Sequence, residues 1–269
     1  MLVVVGGAQA VPAVPAFTHV VVIVFENKEQ NAVLGSRDAP TFNAMAKRYA
    51  SLTRYYGVAH PSLPNYLALV SGSTQGITSD CTDCMVSARN LADTLARARK
   101  TWKVYAEGLP SPGFTGAFSG GYAKKHNPFV YFKDVVASRA RLARVVPLPQ
   151  LREDLKGDAL PDFAFVVPNQ CHSMHDCAVS VGDAWLRTAL PPLLKLPDSV
   201  VFVVFDEGSS NTRGGGHVAA LALGTAVQPA ARSTAVTSHY GLLRTIESAW
   251  GLSLLGRSAR ATPITGIWR

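Results

Sequence analysis

The sequence predicts an α/β fold with a mostly parallel central sheet flanked by helices. Five short runs are continuously apolar and rich in β-branched residues, as strands buried on both faces are. They are "HVVVIVF" (19–25), "WKVYA" (102–106), "FAFVVP" (163–168), "VVFVVF" (200–205) and "HVAALAL" (217–223). Helical patterns lie between or after them, and alternating β and α elements imply a parallel sheet covered by helices. Polar residues collect just beyond the strands, where such folds bind ligands.

Along the chain, the first strand ends in Glu26 and Asn27. Pro40 then opens "TFNAMAKRYA", a position where a missing N–H costs nothing. The stretch "AHPSLPNYLALVSG" sets Ser62 between two prolines, at or just before the start of an apolar helix. Free N–H groups at such a helix end attract anions, phosphate above all. Asn90 starts "NLADTLARARK", and "GDAWLRTAL" starts near Gly182, cut short by Pro191 and Pro192. "HYGLLRTIESAWG" has Ser238 as its N-cap and Gly251 as its stop.

Two of the strands end in acidic or amide pairs: Glu26 with Asn27, and Asp206 with Glu207. The 163–168 run leads into Asn169, His172, His175 and Asp176, and the next segment reaches Asp183. Carboxylate and amide oxygens are the donors that hard divalent cations prefer. A cation beside a serine hydroxyl makes it a nucleophile without a histidine base. Asn65, one helical turn on, is a candidate to hold a non-bridging phosphoryl oxygen.

With 269 residues and no linker, repeat or low-complexity block, one domain is expected. The 26 Lys and Arg against 18 Asp and Glu give a net charge of +8, with a cluster at Arg139, Arg141 and Arg144 that reads as a solvated face. This excess suits anionic partners, but no nucleic-acid motif accompanies it and no nucleic-acid partner is expected. No segment has about 20 apolar residues without charge, as a membrane span requires. Residues 1–16 read as the remnant of a signal peptide and a short linker, with Ala8-Gln9-Ala10 as the cleavage site. Four cysteines fall in two close pairs, Cys81 with Cys84 and Cys171 with Cys177. An even count behind an export signal favours local disulfides over half a zinc site or a redox CxxC.

The blocks "VVIVFENKEQ", "HPSLPNYLALVSG", "YAKKHNPFVYF", "PNQCHSMHDC", "VVFDEGSS" and "SHYGLLRTIESAWGL" together resemble the bacterial phosphoesterase family. That family, within the alkaline-phosphatase-like superfamily, holds secreted acid phosphatases and phospholipases C. The closing "TPITGIW" is similar to short secreted acid phosphatases that act on phosphoinositides. The resemblance implies an alkaline-phosphatase-like catalytic domain over residues 17–269 and export from the cytoplasm. It implies Ser62 as the nucleophile that becomes phosphorylated. It implies Glu26, Asn27, Asp206 and Glu207 as ligands of a divalent metal, whether Mg, Ca, Mn or Zn. His239 matches a histidine facing the phosphate or metal, and His175 one that protonates the leaving oxygen. Lys125, His126 and His217 match phosphate contacts. His60 reads as a packing residue that orients the Ser62 loop.

In one departure, His172 and Ser173 stand where many relatives carry Asn-Asp, which puts a second metal site in doubt. In another, the large insertions and C-terminal domain of long phospholipases are missing. The implied partner is a phosphate ester, phosphoinositides or other anionic lipids included, with peripheral membrane contact. The rival readings are a phospholipase C-type diesterase using the same site and a non-catalytic phosphate-binding module. A serine esterase is disfavoured because the G-x-S-x-G elbow is missing around Ser62.

Overall fold

A computed structural model describes residues 14–269. Most of the expected export remnant, residues 1–13, lies outside the described residues. Strands are numbered in chain order as β1 (Val20–Phe25), β2 (Ala50–Leu52), β3 (Tyr55–Tyr56), β4 (Trp102–Ala106), β5 (Phe118–Ser119) and β6 (Tyr122–Ala123), then β7 (Val145–Pro147), β8 (Phe163–Val167), β9 (Val200–Phe205), β10 (Ala220–Leu223), β11 (Arg232–Ser233) and β12 (Thr237–Ser238). Eight of them form one sheet in the order β11-β2-β10-β9-β1-β8-β4-β7, and β12 pairs with β3 in a separate ribbon. From β9 to β7 every pairing is parallel, and β10 runs antiparallel to both its neighbours.

All five expected strands form, and the mostly parallel α/β expectation holds. The short strands β2, β7 and β11 are additions. At two or three residues, with serine or arginine in β2 and β11, they carry too little apolar pattern to stand out.

The helices are α1 (Gln30–Val33), α2 (Pro40–Arg48), α3 (Ser62–Ser71), α4 (Leu91–Arg97), α5 (Lys133–Val136), α6 (Arg139–Leu142), α7 (Pro149–Lys156), α8 (Val179–Leu193) and α9 (His239–Trp250). Asn90 caps α4, accepting from the Ala92 N–H at 2.9 Å while its own N–H donates to Asp93. Gly251 ends α9 in the left-handed region, where glycine meets no steric penalty. Ser238 stands at the N-cap of α9 but makes no capping bond there. The α8 helix continues through Pro191 and Pro192, further than expected. The prolines sit in its last turn, and the carbonyls they leave unpaired belong to Arg187 and Thr188, both exposed to water.

Helices pack on both faces of the sheet. Phe25 and Phe205, paired in register, meet Phe42 of α2 at 5.2 and 5.8 Å, and Phe25 meets Trp185 of α8 at 5.9 Å. Phe165 pairs with Val22, three residues back and therefore on the opposite face. There it meets Tyr66 of α3. The helix that carries Ser62 is thus pressed against the sheet by a buried tyrosine, and it starts level with the polar strand ends.

Candidate active site

Glu26 and Asp206 are neighbours because of strand register. Phe25 pairs with Phe205 across the parallel β1–β9 ladder, and the Asp206 N–H donates to the Phe25 carbonyl at 3.0 Å. The next residue on each strand is a carboxylate, and both are fully buried. Asn27 takes a left-handed conformation, φ 50°, which asparagine tolerates better than most residues. That turn brings its N–H to Asp206 Oδ1 at 3.2 Å. Its amide nitrogen, oriented toward the acids, donates to Glu26 Oε2 at 3.1 Å and Glu207 Oε1 at 3.3 Å.

Ser62 meets this group. Its Oγ lies 3.1 Å from Glu26 Oε2, 3.3 Å from Glu207 Oε1 and 3.4 Å from the Asn27 amide, and the residue is 1% exposed. Ser62 is the first residue of α3, with Pro61 at the N-cap, so it does not cap its own helix. The expected ring of free N–H groups is narrower than the sequence suggests. Pro61 and Pro64 have none, and the Leu63 N–H donates to Asp80 Oδ1 at 2.9 Å. The first turn offers a ligand the Ser62 N–H.

Three carboxylates share this buried space. Burial first, then the charge of Asp206, pushes Glu26 well above the ordinary range. Burial and the charge of Glu207 push Asp206 up to about 7. Burial raises Glu207 as well, with His60 opposing. Such crowding of hard oxygen donors is the environment a divalent cation relieves. The buried Oδ2 of Asp206 has no hydrogen-bond partner among the described residues. The residues present therefore fit a hard divalent cation. Among the described residues, no three acidic, histidine or cysteine side chains already converge on one ligating point. Glu26 is held by Tyr66 and Ser62, and Glu207 by His60 and Ser62.

A second polar chain runs along the edge. Asp80 Oδ2 accepts from Lys125 Nζ at 2.8 Å, Lys125 Nζ lies 3.3 Å from His175 Nε2, and His175 Nδ1 lies 2.6 Å from Asp176. His126, buried and stacked on Tyr66, sets Nε2 3.3 Å from Glu26. Burial, with the positive charges of Lys125 and His175 behind it, holds its pKa well below the usual histidine range. The ring is neutral.

The remaining expected residues have other partners. His239 is buried, its Nε2 on the Asp206 carbonyl and its Nδ1 3.0 Å from the Tyr55 hydroxyl. Because a carbonyl only accepts, Nε2 carries the proton and Nδ1 accepts from Tyr55. Burial lowers its pKa to about 4, so it fixes Asp206 as a neutral ring. Asn65 directs its side chain to the preceding loop. It accepts from the N–H groups of Val58 and Ala59 and donates to the Ala59 carbonyl at 2.8 Å. His217 bonds the Thr53 carbonyl at 2.9 Å and stacks on Tyr56. Neither Asn65 nor His217 joins the polar cluster around Ser62: the Asn65 amide is saturated by backbone, and the His217 ring is held by the Thr53 carbonyl and Tyr56. Asp183 also lies elsewhere, receiving the N–H groups of Thr41 and Phe42 at the start of α2. His172 bonds Glu107 at 2.9 Å and stacks on Trp185.

Sequence reasoning missed three members of the site. His60, read as a packing residue, pairs with Glu207 through Nδ1, and its Nε2 bonds the Ser210 carbonyl at 3.0 Å. Tyr66, one turn after Ser62, is a helix-period residue with no local mark of a polar role. Asp80 stands next to Cys81 in a loop without pattern. Both disulfides close, Cys81–Cys84 and Cys171–Cys177, beside Asp80 and around His175.

The sequence pattern of the Phosphoesterase family matches residues 35–253. The chain belongs to that family. It is 36% identical over 265 residues to the phosphatidylinositol-3-phosphatase of Mycobacterium tuberculosis, covering 96% of this chain and 85% of that one. It is 31% identical over 228 residues to an acid phosphatase of Aspergillus fumigatus, covering 79% of this chain. There the match spans only 51% of the fungal enzyme. In fold it is similar to an alkaline phosphatase superfamily protein from Vibrio parahaemolyticus, with a TM-score of 0.63 at 14% identity, over 94% of this chain and 72% of that one. The Ser62 stretch, the DEGSS turn and the His239 helix all fall within the range matched by the family. Among the described residues, no helix is long and apolar enough to cross a membrane.

Proposed function

We propose that the chain is an exported, metal-dependent phosphomonoesterase of the acid phosphatase type, acting through a phosphoserine, with residues 17–269 as one catalytic domain. Phosphorylated inositol lipids are proposed among its substrates, supported by the name of the Mycobacterium tuberculosis relative. The observation that carries the reading is Ser62 at the first position of α3, its Oγ within 3.1–3.4 Å of two carboxylates and an amide. Export is supported by the two disulfides.

Glu26, Asn27, Asp206 and Glu207 would hold the cation. When bound, a divalent cation supplies positive charge that lowers the serine pKa and polarises a phosphoryl oxygen. Ser62 Oγ attacks phosphorus as the bond to the leaving alcohol breaks, and the hydroxyl proton passes to a neighbouring carboxylate. The Ser62 N–H sits at the positive end of α3 and favours the charge on the phosphoryl group. His175, whose Nε2 lies 3.3 Å from Lys125 Nζ, gives a proton to the leaving oxygen, with Asp176 orienting the imidazole. Water then attacks the phosphoserine, which releases Ser62 and inorganic phosphate.

Ser62→Ala is expected to lower hydrolysis of p-nitrophenyl phosphate by several orders of magnitude without unfolding the chain. Wild type quenched in acid with labelled substrate should carry phosphate on Ser62, and the variant none. Retention of most activity by the variant would overturn the nucleophile assignment. A chelator should abolish turnover, and one divalent cation should restore it. If phosphatidylcholine is preferred over phosphomonoesters, with diacylglycerol released, the enzyme is a phospholipase C.

A further inference from the structure

Behind the His239 wall lies a cavity of about 450 Å³ that the reaction at Ser62 does not use. Its walls come from β3, β12, the first turn of α9 and the segment 257–262, which the 232–238 region and α9 bring together. Three arginines line it, Arg213, Arg257 and Arg260, and no aspartate or glutamate does. None of the three makes a salt bridge among the described residues. In a chain carrying 18 acidic residues, three unneutralised guanidinium groups around one concavity make a local positive field.

All three arginines are exposed, and two of them are stacked on rings of the same wall. The Arg213 guanidinium stacks over the Tyr56 ring at 5.2 Å and that of Arg257 over the Tyr240 ring at 5.7 Å. The Arg257 N–H donates to the Gly72 carbonyl at 2.7 Å, which ties its backbone to the end of α3. Stacking leaves the edge N–H groups of a guanidinium free, the geometry that grips a tetrahedral oxyanion with two parallel bonds. The twelve-residue α9 opens on the same cavity with no side-chain cap. Arginine forks and an uncapped helix start are complementary to one anionic group rich in oxygen.

The cavity does not open onto the carboxylates. Gly57 stands between: a Cβ there would lie 2.8 Å from the Asp206 carbonyl and 2.5 Å from that of Gly215. The same Asp206 carbonyl receives the His239 proton. One layer of backbone and one imidazole therefore separate the arginines from the site of reaction.

We propose that this cavity is a second phosphate site, binding a phosphate group apart from the one at Ser62, with Arg213, Arg257 and Arg260 as its recognition residues. The phosphate is either free in solution or carried on a lipid headgroup. Either source places a dianion where three cations have no internal partner.

The test compares wild type with an Arg257→Ala/Arg260→Ala double variant, both loaded with the activating cation. Calorimetric titration with inorganic phosphate should give two sites per chain for wild type and one for the double variant. The arginine site should weaken about a hundredfold, roughly tenfold for each charge-assisted hydrogen bond removed. Hydrolysis of p-nitrophenyl phosphate should stay within about twofold, since this site lies outside the reacting group. Vesicles of phosphatidylcholine with and without a phosphoinositide identify the source. Loss of phosphoinositide-dependent vesicle binding in the variant assigns the headgroup, and unchanged vesicle binding beside an abolished phosphate site assigns free phosphate. Arg257→Lys/Arg260→Lys should recover part of the affinity and excludes misfolding as the cause. Equal phosphate stoichiometry and affinity in wild type and the alanine variant would overturn the proposal. That result would leave Ser62 catalysis intact, just as retained activity in Ser62→Ala would leave the arginine site untouched.

Discussion

Replacing Asp183 by alanine is expected to cost about 3 kcal/mol of stability and to damage the active site from a distance. The residue before α2 is Ala39, which cannot cap, and Pro40 has no N–H. The first turn of α2 is instead capped from α8, where Asp183 accepts the Phe42 N–H at 3.0 Å and the Thr41 N–H at 3.1 Å. Hydrogen bonds to a charged group contribute about 1.5–3 kcal/mol each. Phe42 is fully buried and its N–H loses everything, whereas half-buried Thr41 regains part of its bond from water. About 2 kcal/mol for the first and about 1 for the second gives the total. A loss of that size lowers Tm by roughly 6–12 °C for a chain of this class. The functional effect follows from Phe42, which packs on Phe25 and Phe205, the residues directly before Glu26 and Asp206. Urea unfolding of wild type, Asp183→Ala and Asp183→Asn measures the first effect, with the asparagine variant in between. Turnover well below the unfolding range measures the second. A loss under about 1 kcal/mol, with full activity, would refute the capping argument.

Asp80→Asn keeps an acceptor for the Leu63 N–H but loses the ion pair to Lys125. It should therefore slow esters with poor leaving groups about tenfold while p-nitrophenyl phosphate, whose leaving oxygen needs little protonation, is nearly spared. Equal losses on both would show that Asp80 does not act through Lys125 and His175. Asp206→Asn and Glu26→Gln each remove charge from the crowded cluster, so metal content by elemental analysis should fall while the metal-free protein becomes more stable. Unchanged metal content in both variants would remove these residues from the ligand set. Burial pushes Glu247 up to about 7, against bonds from Ser258 Oγ–H at 2.6 Å and the Leu255 N–H at 2.9 Å. A carboxyl raised above its unfolded value contributes stability that is complete below about pH 4.3 and lost as pH rises through about 7. Glu247→Gln should flatten the stability profile across that window, and an unchanged slope would refute the assignment.

The central strands were legible because each is a continuous apolar run, and the carboxylates because they interrupt those runs at one end. Ser62 was legible for its prolines. Its surroundings were less so, since the same prolines remove the N–H groups that the helix start was expected to offer. Asn65, expected from its place one turn after Ser62, and His217, expected from the resemblance, have backbone carbonyls and N–H groups as partners here, which neither spacing nor motif records. Asp80, His60 and Tyr66 reach the site through long-range contacts that no local period records. The antiparallel β10 illustrates the same limit, since an apolar run predicts a buried strand but not its direction.

The register of β1 against β9 has a consequence for how the chain finds its native pairing. The two strands read VVVIVF and VVFVVF, and every residue in both is buried. Slipping by one position still pairs apolar residues with apolar residues over most of the length, so the usual inside–outside alternation cannot penalise the error. What resists slippage is the ends, where Glu26 and Asp206 cannot be drawn into an apolar layer without a large desolvation cost. The acidic residues thus act as stops that fix the strand alignment while the sheet forms, before any substrate arrives. An apolar replacement at either position leaves two greasy ribbons free to pair out of phase, and its damage would appear as misassembled protein as well as an inactive site.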